Sequence, residues 1–472
     1  MTDTVDIHIE TFRTRFGGTV LTGTDAGYDS ARSLWNGAFD RHPRLIARCG
    51  SADDVAAAIG FAAAEGLEVS VRGGGHSLSG VSVVENGLMI DLSPMNQVSV
   101  DPDTRRAVCG GGAALADLDA ATQEHGLAVT AGIVSHTGVG GLTLGGGLGW
   151  LMRSFGLTID NLVAAEVVLA DGRVVRAAED ERPDLFWALR GGGGNFGVVT
   201  RFEYRLHPVG PQVHVGLFFW PLERSREALR LSRDVAEALP RNANAIIGAG
   251  LSAPPAPFVP EQYHHLAGCA LILTGFGSAA EHERLIRPVR ETRPLFEFVT
   301  PMPYVQLQQM LNESAPWGIL DYDKGLYLDE LTEEAIGVIA EHLPRKTSSM
   351  SFVPMFALGG AVSDTADADT AFGGSRAARF ALAISAIAPI QEMLDVDREW
   401  ARSFWSALQP YSSGAGSYVN FMSEYEDDRV RAAYGEEKYT RLARVKAEYD
   451  PDNVFHLNAN IKPAVGTVPP PR

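Results

Sequence analysis

Val71-Arg72-Gly73-Gly74-Gly75-His76-Ser77 is the stretch around which the rest of the chain is organised. It follows an alternating run from Leu67, which is typical of a β-strand. Three consecutive glycines allow backbone N–H groups to turn toward one point and to approach a bound group closely. An ordinary tight turn would use the same glycines, but His76 adds a reactive side chain at the end of the loop. The stretch therefore indicates a binding loop that suits a phosphate.

The composition is that of a globular protein with an acidic surface. The chain has 472 residues, of which 45% are hydrophobic, and a net charge of −18. This length exceeds one hydrophobic core and predicts two or three units, while the charge argues against nucleic acid or an anionic membrane as a partner. No signal peptide or membrane-spanning run is visible. The three cysteines show neither disulfide nor metal-binding spacing, so we expect a cytoplasmic protein that binds no metal.

The first half of the chain alternates helices with strands. Ser51 begins a predicted helix as its N-cap, and Gly66 ends it. Residues 1–45 read as mixed and loop-like, apart from a short helix that opens at Tyr28. The other predicted elements are strands at 67–71, 87–92, 98–108 and 198–204, a helix at 113–125 and a hairpin at 163–175.

Two further segments repeat the glycine-rich character of the first loop. Residues 128–150 contain eight glycines among 23 residues, too many for a helix or a regular strand. A flexible linker would pair glycine with serine, whereas here the partners are Val, Leu, Ile and Trp. A third cluster runs from Arg190 to Gly197. We interpret these segments as buried, tightly turning backbone that forms a bed for a cofactor.

Three glycine beds and one loop histidine together predict a long cofactor with several charges. The Rossmann pattern is absent, because Gly73–Gly75 lead into Ser-Leu-Ser-Gly rather than into an amphipathic helix. The Walker A pattern is absent as well.

The second half has fewer glycines and alternates strands with amphipathic helices. Segments 254–257 and 364–375 read as surface loops, and residues 436–449 read as a helix that ends before Pro451. The predicted strands are 214–220, 245–251, 267–276, 325–328 and 351–358, and the predicted helices are 224–239, 279–291, 332–343 and 397–408.

In combination these motifs resemble the berberine-bridge-enzyme-like FAD-linked oxidases of the vanillyl-alcohol-oxidase type. The resemblance spans essentially the whole chain, is weakest between about 210 and 400, and is nearest to the bacterial members. Its motifs are highly specific in combination. The matching segments are Arg72–Ser77, Thr137–Gly147, Asp160-Asn161, Asp184–Gly197, Tyr418–Phe421 and Asn453–Ile461.

The resemblance implies an α+β fold with two domains. A PCMH-type FAD-binding domain of two α/β subdomains would occupy residues 1–205, with its core at about 38–208. A substrate domain at 206–415 would roof the flavin with an antiparallel sheet backed by helices, and residues 416–472 would return to the first domain.

The resemblance also implies how FAD is held. In the family the histidine of the Arg-Gly-Gly-Gly-His motif bonds covalently to the 8α-methyl carbon of FAD, which gives this role to His76. Many members add a bond from a cysteine, but Val134 stands at that position here, so a single covalent bond is expected. His136 is a rival attachment point that lacks the preceding glycine nest. The other residues implied at the cofactor are Arg72, Gly73, Gly74, Gly75, Ser77, Gly132, Thr137, Gly138, Gly140, Gly141, Gly146, Gly147, Asn161, Gly194, Gly197, Val199, Asn458 and Asn460.

Thr137 occupies a position that in the family lies beside the reactive C4a–N5 edge of the flavin. A small residue there admits dioxygen and a larger one blocks it, and threonine is close to valine in volume. We therefore expect open access for dioxygen. The alternative is a threonine that hydrogen-bonds to nearby backbone. In some relatives a threonine is similarly placed and the flavin carries an oxygen, which keeps oxygenation open.

Tyr418 stands where relatives place a tyrosine that faces the substrate. As a base it would need a pKa below its reference value near 10, and it could equally orient the substrate by a hydrogen bond. Asn420 would brace the same loop. Some members have a glutamate on the strand near 351–358, where this chain has no acid. The remaining candidates are Asp321, Asp323 and Tyr327, among which spacing does not choose.

The function implied is that of an FAD-dependent oxidase that takes a hydride from a small organic substrate onto flavin N5 and returns electrons to dioxygen. An oxygenase of secondary metabolism is the alternative, and oxygen-18 in the product would distinguish it. A flavin-storage or sensory protein is a third class, against which Tyr418 and Thr137 count. Aromatic residues suggest an apolar, aromatic or polyketide-like substrate, namely Phe218, Trp220, Tyr304, Phe352 and Phe356.

Overall fold

The first glycine loop follows the edge strand of a four-stranded sheet. The computed structural model describes residues 2–413, 416–425 and 427–465. The strands of this sheet are β1 (Thr19–Leu21), β2 (Leu45–Arg48), β3 (Val69–Arg72) and β4 (Leu88–Asp91). They lie in the order β1-β2-β4-β3, with β2 and β3 parallel to β4 and β1 antiparallel to β2. The loop at Gly73–Gly75 therefore leaves the sheet at the carboxyl end of a parallel strand.

A second, antiparallel sheet follows, with the strand order β5-β6-β10-β8-β9. Its strands are β5 (Val98–Asp101), β6 (Arg106–Gly110), β8 (Leu162–Val168), β9 (Val174–Ala178) and β10 (Val198–Arg205). Two short strands, β7 (Leu127–Ala128) and β11 (His207–Pro208), pair with each other. The third glycine-rich segment leads into β10 of this sheet, and the second segment follows β7.

The middle of the chain forms a seven-stranded antiparallel sheet. Its strands are β12 (Gln212–Pro221), β13 (Ala243–Ser252), β14 (Ala267–Gly275), β15 (Phe296–Pro303), β16 (Leu320–Leu328), β17 (Val353–Ala357) and β18 (Phe380–Ala388). The order is β15-β12-β14-β13-β17-β18-β16. One face of this sheet turns toward the glycine loops, and the other face packs on helices.

Helices cover the outer face of the large sheet and surround the smaller ones. The helices are α1 (Thr2–Arg15), α2 (Tyr28–Arg32), α3 (Ala52–Glu65), α4 (Leu115–Gln123), α5 (Val139–Gly145), α6 (Met152–Phe155), α7 (Pro183–Leu189), α8 (Ser225–Glu237), α9 (Ala279–Glu291), α10 (Tyr304–Gln309), α11 (Glu333–His342), α12 (Gln391–Leu408) and α13 (Asp427–Tyr449). Apolar residues of α8, α9, α11 and α12 form one buried cluster with alternate residues of the large sheet. Within the described residues, none of these helices is both long and apolar enough to cross a membrane.

The C-terminal segment returns to the first part of the chain. Helix α13 contacts α7 and is interrupted at Gly435, whose φ of 72° is not helical. Lys446 near its end is fully buried, pairs with Asp450 at 2.5 Å and donates to the Asn195 and Phe455 carbonyls. The charged pair thereby fixes residues 450–461 against the third glycine cluster.

Several predicted elements are confirmed, and α3 has the expected N-cap at Ser51 and the left-handed Gly66 at its end. The loop-like reading of residues 1–45 is wrong for α1 and β1. Strand β1 has only three residues, which is too short to show periodicity. Leu45–Arg48 is a strand (β2), as the strand–helix–strand reading around α3 predicts. The surface-loop reading of 364–375 is wrong in part. Phe372 in that stretch is 2% exposed and packs against Gly146 and Gly191.

Candidate functional site

A cavity of about 480 Å³ lies between the glycine loops and the inner face of the large sheet. All three glycine-rich segments contribute to its wall, together with residues of β16, β17 and β18 and of the C-terminal segment. Residues separated by hundreds of positions therefore meet at one site. The glycines on its wall are Gly73, Gly74, Gly75, Gly111, Gly132, Gly138, Gly140, Gly141, Gly145, Gly193, Gly194 and Gly197.

The first two glycine segments pack backbone against backbone. A Cβ atom added at Gly74 would lie 2.3 Å from Cα of Gly138, and one added at Gly138 would lie 2.4 Å from N of Gly74. A side chain at either position would therefore force the segments apart. Gly141 and Gly194 are different, because an added Cβ meets nothing within 4 Å there. These two glycines keep the cavity open to a bound group.

His76 lies in the cavity beside two tryptophans. Its ring stacks on Trp35 with the ring centroids 5.0 Å apart and meets Trp317 edge-on at 5.8 Å. Its Nε2 lies 2.6 Å from Nδ1 of His136. Burial, reinforced by the neighbouring His136, lowers the pKa of His76 to about 3. The imidazole is therefore neutral at neutral pH.

His136 is the hydrogen-bond partner of His76. Burial lowers the pKa of His136, while backbone hydrogen bonds with Asn312 and Ala315 raise it. Between Nε2 of His76 and Nδ1 of His136 one nitrogen donates and the other accepts, so the tautomer of one neutral ring fixes that of the other. When Nε2 of His76 is the donor, its Nδ1 is unprotonated, and no hydrogen bond reaches Nδ1 from the described part of the chain.

Thr137 and Val134 both line the cavity. The Thr137 main chain is held by the Val134 carbonyl and by Leu115 N–H, but its hydroxyl makes no hydrogen bond with any described residue. The three cysteines are Cys49, Cys109 and Cys269, and all are buried away from the residues that form the cavity. Burial raises the pKa of each of these thiols.

Tyr418 lies in the wall with its hydroxyl oxygen already engaged. That oxygen accepts from the Gly147 N–H at 2.8 Å and from Nδ2 of Asn420 at 2.9 Å. Tyr418 is 3% exposed, and burial raises its pKa above the usual value near 10. The two donors occupy the lone pairs and leave the phenolic proton to be given. The geometry therefore favours a hydrogen-bond donor over a base.

Most of the residues expected at the cofactor line the cavity, but five do not. Those that do are Gly73, Gly74, Gly75, His76, Ser77, Gly132, Thr137, Gly138, Gly140, Gly141, Gly194, Gly197, Val199 and Asn458. Those that do not are Arg72, Gly146, Gly147, Asn161 and Asn460.

Four of these five residues have structural contacts elsewhere. The amide of Asn161 is committed to the Phe155 and Leu157 carbonyls and to His207. Arg72 pairs with Asp91.

The two glycines do not face the cavity either. Gly147 holds the Tyr418 hydroxyl, and Gly146 packs against Phe372. Oδ1 of Asn460 is buried without a partner among the described residues.

The expected aromatic contacts are also only partly present. Phe352 and Phe356 line the cavity. Phe218 and Trp220 lie on the other face of the sheet, in the cluster that packs on the helices, and Tyr304 is fully buried on α10. Apolar residues occupy both faces of β12, so the sequence of this strand does not show which residues face the cavity.

Asp321 and Asp323 of β16 both line the cavity, whereas Tyr327 does not. Residue spacing could not select the two aspartates, because the register that turns them inward is set by pairing with β18. Other lining residues that the sequence did not indicate are Trp35, Leu78, Ser82, Ala383 and Tyr425. Phe421, Phe455 and Leu457 also line the cavity and lie in the matching segments.

Comparison with known families identifies two regions. Residues 43–178 match a family described as an FAD binding domain, and residues 417–462 match one described as berberine and berberine like. The cavity fits FAD, since Gly141 and Gly194 leave open space and Oδ1 of Asn458 on its wall is buried without a partner among the described residues.

Individual relatives agree over nearly the full length. The chain is 33% identical to (R)-6-hydroxynicotine oxidase of Paenarthrobacter nicotinovorans over 94% of this chain and 97% of that protein. It is 30% identical to an FAD-linked oxidoreductase of Dictyostelium discoideum over 93% of each. The crystal structure of 6-hydroxy-D-nicotine oxidase from Arthrobacter nicotinovorans superposes with a TM-score of 0.84 at 28% identity, covering 95% of this chain and 98% of the other. The chain therefore belongs to the berberine-bridge-enzyme-like, PCMH-type family of FAD-linked oxidoreductases.

Proposed function

We propose that this enzyme is an oxidase whose FAD is bound covalently, by one bond, to His76. The observation that carries the proposal is the neutral His76 ring, held at Nε2 by His136 with Nδ1 unengaged inside the cavity. Nδ1 is the nitrogen that bonds to the 8α carbon. Overall, the imidazole loses a proton, the methyl group loses a hydride, and dioxygen takes up both as hydrogen peroxide.

The remaining residues of the wall hold the cofactor without further bonds to it. Backbone N–H groups of the glycine segments face the cavity and suit the pyrophosphate, since the described wall carries no lysine or arginine. We propose no second covalent bond, because Val134 carries no nucleophile and none of the three cysteines lines the cavity. We do not propose His136 as the attachment point, because its Nδ1 is engaged with His76 and no glycine nest precedes it in the sequence.

When bound, FAD accepts a hydride at N5 and passes electrons to dioxygen. Tyr418 donates its phenolic proton toward the substrate and orients it. Thr137 keeps a small side chain next to the reactive edge and leaves a path for dioxygen. The free Thr137 hydroxyl supports oxygenation as the second candidate function, in which oxygen is inserted into a product of secondary metabolism.

The sheets support a division of the chain at about residues 205 and 416. The two smaller sheets lie within residues 19–205 and the large sheet within 212–388. We assign cofactor binding to the first part with the C-terminal segment, and substrate contact to the inner face of the large sheet. The substrate is a small organic molecule, because the wall formed by Phe352, Pro354 and Phe356 is apolar and the cavity is limited.

Two measurements test the proposal. Acid-precipitated wild-type protein should stay yellow and carry one FAD on the peptide that contains His76, whereas His76→Ala should release all flavin. Flavin retained by His76→Ala would contradict the assignment of the bond. Dithionite-reduced enzyme mixed with dioxygen should regain its oxidised spectrum and release hydrogen peroxide. Oxygen-18 found in an organic product would instead favour the oxygenase.

A further inference from the structure

Asp321 and Asp323 form a pair of carboxyl groups in the roof of the cavity. They are two positions apart on β16, so both side chains project from the same face of the sheet. They are only 6% and 7% exposed. A hydrogen bond joins the two carboxyl groups, and the Ser385 side chain on the neighbouring strand also bonds to Asp323. The pair is thus ordered and lies inside the site rather than on the surface.

No cation compensates this pair. Among the described residues of the wall there is no lysine or arginine, and the other titratable groups are His76, Tyr418 and Tyr425. Lys324, the next residue along β16, faces the opposite side of the sheet and pairs with Glu424. Burial therefore raises the pKa of Asp323 to about 7 and, with the adjacent Asp323, raises that of Asp321 well above its usual value.

Two carboxyl groups in contact and without a cation hold one proton between them, because both cannot be charged at this separation. Asp321 keeps the proton and donates it to Asp323, which is the partner that ionises, with a pKa of about 7. Each residue also has an oxygen, Oδ1, that is buried without a partner in the described part of the chain. These two oxygens, on the wall of a cavity that is otherwise apolar at this end, require a hydrogen-bond donor from a bound molecule.

We propose that the Asp321–Asp323 pair accepts the proton that leaves a hydroxyl or amine group of the substrate while the adjacent C–H bond is oxidised. The substrate is therefore an alcohol or an amine with an apolar body, and not a carboxylate. A carboxylate would face a second negative charge with no cation on the wall. Phe352, Pro354 and Phe356 supply the surface for the apolar body.

The substrate, the carboxyl pair, FAD, dioxygen and solvent together account for every proton and electron in the reaction. The C–H bond gives its hydride to FAD, and the O–H or N–H proton moves to Oδ1 of Asp323, so that a carbonyl or imine forms. Dioxygen would then take up the hydride equivalent and one proton from solvent to give hydrogen peroxide, and the pair would release the substrate proton to solvent when the product leaves. Tyr418 does not serve as the acceptor, because its oxygen already accepts two hydrogen bonds and burial raises its pKa.

This inference rests on the proposed oxidase function, and a first experiment tests the shared proton without any substrate. Infrared difference spectra of the holoenzyme, recorded across a pH titration, should show one buried carboxylic acid that persists at pH 7. The band should disappear in Asp321→Asn, because Asp321 carries the proton, and should remain in Asp323→Asn, because burial of Asp321 is unchanged there. It should also remain in Asp329→Asn, an exposed aspartate just after the same strand. Absence of the band in the wild type or in Asp323→Asn, or its survival in Asp321→Asn, would overturn the proposal.

A second experiment tests the substrate class with benzyl alcohol, benzylamine and benzoate, which share one ring and differ in charge. Benzyl alcohol or benzylamine should perturb the flavin spectrum and reduce the flavin anaerobically, and whichever reacts faster identifies the donor. Benzoate should bind at least about tenfold more weakly. Tight binding of benzoate, or no reduction by either donor, would contradict the assigned class.

Substitutions at Asp321 and Asp323 distinguish the roles of the two carboxyl groups. Asp323→Asn should slow flavin reduction by about 100-fold or more, since it removes the proton acceptor. In the wild type the rate should rise with pH through about 7 as Asp323 ionises and fall at higher pH as Asp321 ionises. Asp321→Asn should abolish only the high-pH decline, because an amide cannot ionise.

Wild-type rates of flavin reduction in both Asp321→Asn and Asp323→Asn would overturn the role of the pair as proton acceptor. The covalent flavin and the reoxidation of dithionite-reduced enzyme should be normal in both variants, so a failure there is a failure of the oxidase proposal instead.

Discussion

At the scale of single residues, the covalent bond to the cofactor that we propose would depend on both His76 and His136. His76 would supply the bonding nitrogen, and His136 holds the other nitrogen of the same ring at 2.6 Å. Tryptophan stacking fixes the plane of the His76 ring. A ring that is buried, neutral and limited to one tautomer presents its lone pair in one direction only.

His136→Ala removes the acceptor that fixes the His76 tautomer. Because the loss of one hydrogen bond corresponds to about 1 kcal/mol, we expect covalent incorporation of FAD to slow by about fivefold rather than to stop. The measurement is the time course of acid-stable flavin after FAD is added to apoprotein. His125→Ala is the matched control, since His125 is exposed and does not line the cavity. An unchanged time course in His136→Ala would remove His136 from the attachment.

Thr137→Leu tests dioxygen access. If Thr137 lies next to the reactive edge as we propose, leucine would fill the space there, so reoxidation of reduced flavin should fall by about tenfold, roughly 1.4 kcal/mol of barrier. Reduction of the flavin should change less. Thr137→Val keeps the volume and should reoxidise normally, with normal stability, since the hydroxyl has no partner among the described residues. Stopped-flow absorbance separates the variants, and normal reoxidation in Thr137→Leu would mean that dioxygen enters elsewhere.

Residue types alone predicted the histidine and most of the glycines on the wall, because few other residues suit those positions. Residue types did not distinguish the residues that contact the cofactor from those that only support the fold. Asn161 lies in a matching motif, yet its amide is used up by two carbonyls and His207. Asp321 and Asp323 could not be chosen over Tyr327, because their direction depends on pairing with a strand some 60 residues away.

At the scale of elements, the close contact between the first two glycine segments is the feature that shapes the cavity. Gly74→Ala should destabilise the fold, because its Cβ would lie 2.3 Å from the Gly138 main chain, which cannot rotate away. Overpacking of this kind costs about 1–3 kcal/mol, and we expect less flavin per protein and a lower Tm.

Two alanine controls accompany that variant. Gly23→Ala meets nothing within 4 Å and should leave stability and flavin content unchanged. Gly141→Ala also meets no protein atom within 4 Å but extends toward the cavity, so it should lower flavin content while the apoprotein keeps its Tm. A wild-type Tm and flavin content in Gly74→Ala would show that the two segments can separate freely.

Elements with a clear periodicity or a clear cap were predicted from sequence, and α9 was predicted at its full observed bounds. Helix α5 was not, because glycine disfavours helix and only burial against neighbouring segments stabilises this one. Strand β18 is buried on both faces, so its continuous apolar run carries no alternation to identify it.

At the scale of the whole molecule, the site requires both the glycine segments and the large sheet. Trp35 donates to the Ala315 carbonyl, and Asn36 bonds to the main chain of Asp321 in both directions. These contacts join the loop before β2 to the start of β16 and so align the carboxyl pair with the wall that holds His76. The division near residues 205 and 416 stays a prediction, although the separate sheets agree with it.

A second contact between the two parts of the chain makes stability depend on pH. Asp119 on α4 accepts from Nε2 of Gln308 on α10 at 2.8 Å, with the Tyr304 ring nearby. Asp119 is 1% exposed, and burial raises its pKa to about 7. An aspartate of the unfolded chain has a pKa near 4, so between about pH 4 and 7 the folded state keeps a proton that the unfolded state has lost. Stability should therefore fall as pH rises through this range.

Asp119→Asn removes this dependence, because the amide keeps an oxygen for Gln308 and never ionises. We expect the variant to unfold at a higher temperature than the wild type at pH 8, by a few degrees for roughly 2–4 kcal/mol, and at nearly the same temperature at pH 5. Thermal unfolding at both pH values measures the difference. Glu124→Gln, an exposed change at the end of the same helix, should alter neither value. If Asp119→Asn shifted Tm equally at both pH values, the carboxyl group would not carry its proton in the folded protein, and the contact between α4 and α10 would be indifferent to pH.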